Sequence, residues 1–158
     1  MGQANLRIGK VSTGAIAAGG VKSAWLLNPV THRGKLQEVW LSFGAVAAQP
    51  DIAFELYRVT SLGSPAGTTA TISQDDPNDD APVWTALSAL TTEPTTVQPI
   101  REGHLSVVQG LLVVFFPYVS EIRLDAGGAR LGCRVVNDGG AAMTAVNMRG
   151  GVVWREGI

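Results

Sequence analysis

Residues 52–60 read IAFELYRVT and carry the clearest strand pattern in the chain. Alternate side chains of a strand point to opposite faces, and here the alternation separates two sets of residues. The two faces hold Phe54, Leu56 and Arg58 on one side, and Glu55, Tyr57 and Val59 on the other. Pro50 precedes the stretch and a turn at 63–65 follows it. We therefore predict a strand that is bounded by turn formers at both ends.

The rest of the chain repeats this succession of short strand-like stretches and turn formers. These stretches are AWLLNPV (24–30), KLQEVWLSF (35–43), GTTATIS (67–73), HLSVV (104–108), LLVVFF (111–116), EIRL (121–124), ARLGCRVV (129–136), AAMTAVNMRG (141–150) and VVWRE (152–156). In residues 35–43, the set Gln37, Val39, Leu41 and Phe43 is the more apolar and is expected to face the core. A short helix competes with extended chain only at 83–90, and turns are expected at Gly150–Gly151 and the other breaks. The pattern predicts an all-β, antiparallel, jelly-roll-like sandwich of about eight strands.

Length and composition set the class of protein. The chain has 158 residues, of which 46% are hydrophobic, enough for one domain with a packed core. Twelve basic side chains face thirteen acidic ones, so the total charge gives no field that would gather nucleic acid or an anionic membrane. No apolar stretch reaches the roughly 18 residues of a membrane helix. We expect a soluble protein with no nucleic-acid and no membrane partner.

Residues 1–24 contain few large apolar side chains, which predicts an extended N-terminal arm ahead of a single β-sandwich domain at 25–158. An arm of this kind becomes ordered by lying along a neighbour. Its candidate binding residues are the apolar Leu6, Ile8, Val11 and Ile16 and the basic Arg7 and Lys10. Deletion of residues 2–20 is accordingly expected to leave the fold intact and to abolish binding of the protein to its neighbour.

The stretch LLVVFF at 111–116 is apolar on both faces. Such a strand is typical of a central position, covered by the domain core on one side and by another body on the other. A second subunit is the simplest cover, which predicts a homotrimer with Leu112, Val114 and Phe116 at the subunit interface.

Residues that could catalyse a reaction or bind a metal are sparse and scattered. His32 and His104 are far apart in sequence and neither lies in a metal-binding group; His104 is interpreted as an exposed or hydrogen-bonded edge residue. The acidic turn, which we define as residues 75–80, does not follow the ligand order of a calcium loop and is interpreted as a solvated turn. The single cysteine, Cys133, is interpreted as a buried apolar residue. These observations predict no catalytic residues, no metal site and no cofactor.

The four tryptophans Trp25, Trp40, Trp84 and Trp154 favour core or interface packing. Trp84 lies beside the acidic turn in the sequence, which makes it the best candidate for an exposed tryptophan. Exposed, coplanar tryptophans would instead favour a carbohydrate-binding module.

The order AWLLNPV, FELYRVTSLGSPAGTTAT, an Asp/Pro loop and a closing VVWRE resembles small proteins of tailed bacteriophages and prophages. The resemblance covers residues 24–156 and includes jelly-roll capsid decoration, or cement, proteins. It implies a non-enzymatic virion protein that binds the major capsid protein as a trimer on the outside of the head. The alternatives are a carbohydrate-binding or tail-associated adhesin module and, with less support, a jelly-roll enzyme.

Overall fold

A computed structural model describes residues 5–13, 16–43, 52–74, 76–78, 80–105, 111–115, 122–139 and 148–157. These residues contain twelve strands and no helix. The strands are β1 (Asn5–Thr13), β2 (Val21–Asn28), β3 (Gly34–Phe43), β4 (Ile52–Ser61), β5 (Ala66–Thr69), β6 (Ile72–Gln74), β7 (Thr85–Thr92), β8 (Thr96–Leu105), β9 (Leu111–Phe115), β10 (Ile122–Leu124), β11 (Leu131–Asn137) and β12 (Met148–Glu156). The predicted all-β class is confirmed.

The strands form two antiparallel sheets that pack into a sandwich. The first sheet has the order β10-β3-β12-β1-β6, and β9 also pairs with β3. The second sheet has the order β5-β7-β2-β11-β4-β8. Large apolar side chains from both sheets meet between them, including Trp25, Leu27, Leu36, Leu41, Leu56, Leu131, Val152 and Trp154. Removal of these side chains from water is the main stabilisation of the fold. The jelly-roll connectivity stays a prediction.

The predicted alternation of β4 is confirmed. Phe54 and Leu56 lie in the core between the sheets. Tyr57 and Val59 lie in a second apolar cluster with Leu26 and Leu90. The second sheet therefore buries apolar side chains on both of its faces.

The predicted core face of β3 is correct in its second half only. Val39 and Leu41 are buried, as expected, but in the first half it is Leu36 that is buried and Gln37 that is half exposed. The register with β12 shifts between Val153 and Trp154, because Gln37 is an extra residue in β3. A bulge of this kind reverses the phase of the alternation.

Three local features are left open, not predicted or predicted wrongly from the sequence. Residues 83–90 contribute to β7, an extended strand, and not to a helix. β8 contains Pro99, which the sheet accommodates because β8 is an edge strand with a bulge at Ile100. The turn predicted at Gly150–Gly151 is absent, since β12 runs through both glycines. A β-carbon at Gly151 would overlap the Trp40 indole, so glycine is needed there for packing.

The N-terminal segment differs most from its prediction. Residues 5–13 are β1, which lies between β12 and β6 and forms nine register pairs with β12, from Asn5 with Glu156 to Thr13 with Met148. The predicted domain boundary after residue 24 falls inside β2, and Ile16 is buried in the core at 3% exposure. The extended-arm interpretation is therefore wrong for the described residues. Backbone hydrogen bonds to β12 order the segment, and they do not require large side chains.

The candidate interface strand also occupies a different position. Among the described residues, β9 pairs with β3 alone, on the same side of β3 as β10, so it lies at an edge of the first sheet. Leu112 and Val114 are register partners of Leu41 and Val39. Within the described residues β9 therefore does not occupy the predicted central position, and the role of these residues at a subunit interface stays a prediction. Phe116 lies outside the described residues.

The position of β1 predicts the result of an N-terminal deletion. Removal of residues 2–13 exposes the edges of β12 and β6, and we expect loss of the cooperative thermal transition measured by circular dichroism. Removal of residues 2–4 alone is the control, because it leaves β1 whole, and it should retain the transition. A deletion of 2–13 that melts like the full chain would restore the arm interpretation.

Candidate functional site

A buried carboxylate joins the two sheets at one end of the sandwich. Glu156, at the end of β12, is 3% exposed. Its Oε2 accepts a hydrogen bond from the Val83 backbone N–H at 3.0 Å. Its Oε1 accepts bonds from the Trp84 backbone N–H at 3.1 Å and from the Trp154 indole Nε1 at 2.9 Å. These three donors compensate for the loss of water around the carboxylate.

Two tryptophans complete this arrangement. The rings of Trp84 and Trp154 stack with centroids 6.0 Å apart and planes 10° apart. Trp84 also donates from Nε1 to the backbone oxygen of His32 at 2.9 Å. We call Trp84, Trp154 and Glu156 the Trp–Glu clasp. Gly34 lies against it, and a β-carbon there would overlap the Trp84 ring and the Arg155 carbonyl.

The prediction that Trp84 is exposed is therefore wrong, since the residue is 1% exposed. Trp25 and Trp154 are fully buried, as their interpretation as core residues requires. Trp40 is half-buried. The burial of Trp84 arises from tertiary contacts that the local sequence does not show. The chain before β7 folds onto the end of β12, where Trp84 stacks on Trp154.

A basic cleft opens beside the clasp. It has a volume of about 300 Å³ and is lined by Arg33, Gly34, Lys35, Arg123, Leu124 and Asp125. Arg33 Nε lies 3.5 Å from Asp125 Oδ1, and both side chains are more than 70% exposed. An ion pair this exposed contributes little to stability. Arg58, from the second sheet, donates from Nη2 to the backbone oxygen of Arg123 at 3.1 Å and adds a further cation.

Strand register lines up three of the cations. Lys35 in β3 is the register partner of Arg123 in β10 on one side and of Arg155 in β12 on the other. Directly opposed residues share a face of the sheet, so the three form a line across three strands, which we call the cationic row. Arg123 and Arg155 are exposed and Lys35 is half-buried. The sequence alone does not reveal this row, because the three residues are far apart in the chain.

A second polar cluster lies on the outer face of the second sheet, and all of its groups are engaged with one another. Ser23 Oγ donates to Glu93 Oε2, so the Tyr57 hydroxyl donates to Ser23 Oγ, at 2.7 Å. The Ser23 backbone N–H donates to the other oxygen of Glu93 at 2.7 Å. Arg134 lies 5.5 Å from the Tyr57 ring centre, and its Nε is 2.6 Å from Glu55 Oε2.

The role of this cluster is structural. Burial raises the pKa of the Tyr57 hydroxyl far above its ordinary value of 10.0, and the nearby Glu93 carboxylate raises it further, while the hydrogen bond with Ser23 lowers it. Ser23 and Tyr57 are both fully buried, so neither oxygen meets solvent. The phenol therefore stays protonated and serves to link β2 and β4 to the chain after β7.

The acidic turn follows β6 and is described at 76–78 and 80. Asp76 Oδ1 accepts hydrogen bonds from the backbone N–H and the Nδ2 of Asn78, at 2.8 and 3.0 Å. Asp76 and Asp80 are exposed. The expected side-chain to backbone hydrogen bonds of a solvated turn are thus observed at Asp76. Asp75 and Asp79 lie outside the described residues.

The remaining predicted residues have the following positions. Cys133 is fully buried, as predicted, and His104 is exposed on the edge strand β8, also as predicted. Leu6, Arg7, Ile8, Lys10 and Val11 are all in β1. Their binding to a capsid stays a prediction.

No protein-family model matches the chain, and no curated protein matches it. Within the described ranges, no group of three or more His, Cys, Asp and Glu side chains is placed to hold a metal ion. The described part of the chain also contains no helix with the length and hydropathy needed to cross a bilayer.

Substitution of the clasp carboxylate tests its role. Glu156→Gln keeps the shape but places an amide N–H₂ against an N–H donor, and we expect a loss of about 1–3 kcal/mol in the free energy of unfolding, measured with denaturant. Glu102→Gln, at an exposed carboxylate on β8, is the matched control and should change stability little. Equal effects of the two substitutions would contradict the importance of the clasp.

Thiol labelling tests the burial of Cys133. Burial raises the pKa of this thiol from 9.0 to about 12, because the thiolate loses its hydration. At mildly alkaline pH, below that raised pKa, we expect a thiol reagent to label the native chain roughly a thousandfold more slowly than the denatured chain. Labelling of the native chain at the denatured rate would contradict the observed burial.

Proposed function

We propose that this protein is a non-enzymatic virion structural protein, a decoration protein that binds the major capsid protein on the outside of a phage head and stabilises it. It acts as a homotrimer, is made in the host cytoplasm and is located on the capsid exterior. The viral context of this proposal rests on the resemblance of residues 24–156 to phage and prophage proteins.

One observation favours a binding role over a catalytic one. Four side chains that could act as a nucleophile, an acid or a base are buried: Ser23, Tyr57, Cys133 and Glu156. The three that carry oxygen are hydrogen-bonded within the fold. Exposed charge is instead arranged as a row across three strands, of which Lys35 and Arg123 also line the basic cleft. A row of exposed cations suits contact with an acidic protein surface.

The residues that carry the resemblance have structural roles in the sandwich. The FELYRV segment is part of β4, and the closing VVWRE segment supplies Trp154 and Glu156 to the clasp. The residues that carry the resemblance therefore serve the core of the sandwich, and the proposal assigns attachment to the outer surfaces.

The outer face of the first sheet supports self-association. Trp40 and Val153 are half-buried, and each alternates with buried core residues, so they lie on the face that points away from the second sheet. Partly exposed aromatic and aliphatic side chains are frequent in subunit interfaces.

The carbohydrate-binding alternative loses its best support, because Trp84 is buried. Neither the basic cleft nor a second cavity of about 320 Å³, lined by residues such as Asn28, Thr69 and Thr85, has a tryptophan in its wall. Stacking on an exposed aromatic ring is the recognition that this alternative required.

Sedimentation with undecorated heads tests the proposal. We expect the purified full chain to cosediment at saturation in a copy number that is a multiple of three, and to raise the temperature at which the heads rupture. Heads already saturated with the protein are the control and should take up no more. A chain that stays in the supernatant at every concentration would overturn the proposal.

A further inference from the structure

The cationic row and the acidic turn lie at the same end of the first sheet; the row runs from the edge strand β10 to the middle strand β12, and the turn follows β6 at the other edge. Arg155 of the row is the register partner of Leu6 in β1, and the adjacent Arg7 is the register partner of Gln74, the last residue of β6. The acidic turn leaves β6 at this point. In the order β10-β3-β12-β1-β6, interstrand spacings of about 4.8 Å place the backbone of Arg155 roughly 10 Å from β6 and that of Arg123 roughly 19 Å from it.

The two features carry opposite charge. The row contributes Lys35, Arg123 and Arg155, whereas Arg33 beside it in the cleft faces Asp125 at 3.5 Å, so that this pair adds no net charge. The turn has four aspartates among its six residues. Asp76 and Asp80 are exposed there, and Asp76 is fixed in orientation by its two hydrogen bonds with Asn78. The row across β10, β3 and β12 and the acidic turn after β6 give the two sides of this sheet end opposite charge, so the row of one copy is complementary to the turn of another.

We propose that the cationic row is the docking site for the acidic turn of a second copy of this chain. The contact joins unlike surfaces of the two copies, and such contacts close into a ring when the rotation between subunits permits. The inference rests on the self-association included in the proposed function, but it does not depend on head binding. Since the charges lie at the surface, salt weakens the contact.

The competing interpretation is that the row protects the sheet edge. Charged side chains on an edge strand hinder the addition of another strand, and Arg123 lies on such a strand. A different protein with an acidic surface is the other possible occupant. Both interpretations predict that the mass of the chain in solution does not depend on the acidic turn.

Charge reversal separates these cases. The row variant carries Lys35→Glu, Arg123→Glu and Arg155→Glu; the turn variant carries Asp75→Lys, Asp76→Lys, Asp79→Lys and Asp80→Lys. The mass of the full chain is measured by analytical ultracentrifugation at low and high salt. We expect the unchanged chain to associate at low salt, each variant to associate more weakly on the order of tenfold or more, and one chain with both sets of changes to recover its association.

Matched controls keep the charge change but move it elsewhere. Arg149→Glu alters an exposed cation at the opposite end of β12, and Asp138→Lys alters an exposed acid after β11; both should leave association unchanged. Circular dichroism melting establishes that each variant is folded. Where a reversal variant unfolds, Asp→Asn changes in the turn make the comparison, because asparagine retains the acceptor that holds the turn.

A carbodiimide cross-link provides a measurement that needs no variant. In a mixture of isotopically light and heavy chains, we expect mixed-isotope peptides that join Lys35 to the acidic turn. A monomeric chain at low salt, an association that the reversals leave unchanged, or a doubly changed folded chain that stays monomeric would overturn the inference. If association follows the charges while heads remain undecorated, the proposed function fails and this inference stands.

Discussion

The hydrogen bonds of the buried Glu156 carboxylate determine how the two sheets meet at one end of the sandwich. A carboxylate out of water is costly unless donors surround it, and here two backbone N–H groups and an indole N–H supply the bonds. The donors come from β12 and from the chain that leads into β7, which belong to different sheets. The hydrogen bonds therefore fix how the two sheets meet at this end, and they bring Trp84 onto Trp154.

Further hydrogen bonds near Glu156 position the loops of the basic cleft. Trp84 Nε1 holds the His32 carbonyl at 2.9 Å, and the Gly157 backbone N–H holds the Arg33 carbonyl at 3.0 Å. The Gly127 N–H bonds the Pro29 carbonyl at 2.9 Å and connects the loop that carries Asp125 to the same turn. The cleft thus has a backbone framework that is independent of its exposed charges. A surface for docking benefits from such support, because little ordering is then required when a partner binds.

The net charge of the chain does not reveal the cationic row. The formal net charge is −1, which correctly argues against a general attraction for polyanions. Pairing of β3 with β10 and β12 nevertheless collects three cations from three parts of the chain in one line. The acidic turn remains a local feature of the sequence, and so the anionic side was visible at once whereas the cationic side was not. Net charge describes the whole molecule, while recognition depends on local arrangement.

The sequence by itself determined the properties that depend on neighbouring residues. Period-two alternation in residues 52–60 identified β4 and its two faces, the composition indicated a packed all-β core, and Cys133 was recognised as buried. It did not determine β1, because order there comes from backbone bonds to β12, more than a hundred residues away. The bulge at Gln37, the burial of Trp84 and the cationic row also depend on which strands meet and in what register. Register is a property of the paired strands together, and only the tertiary structure decides it.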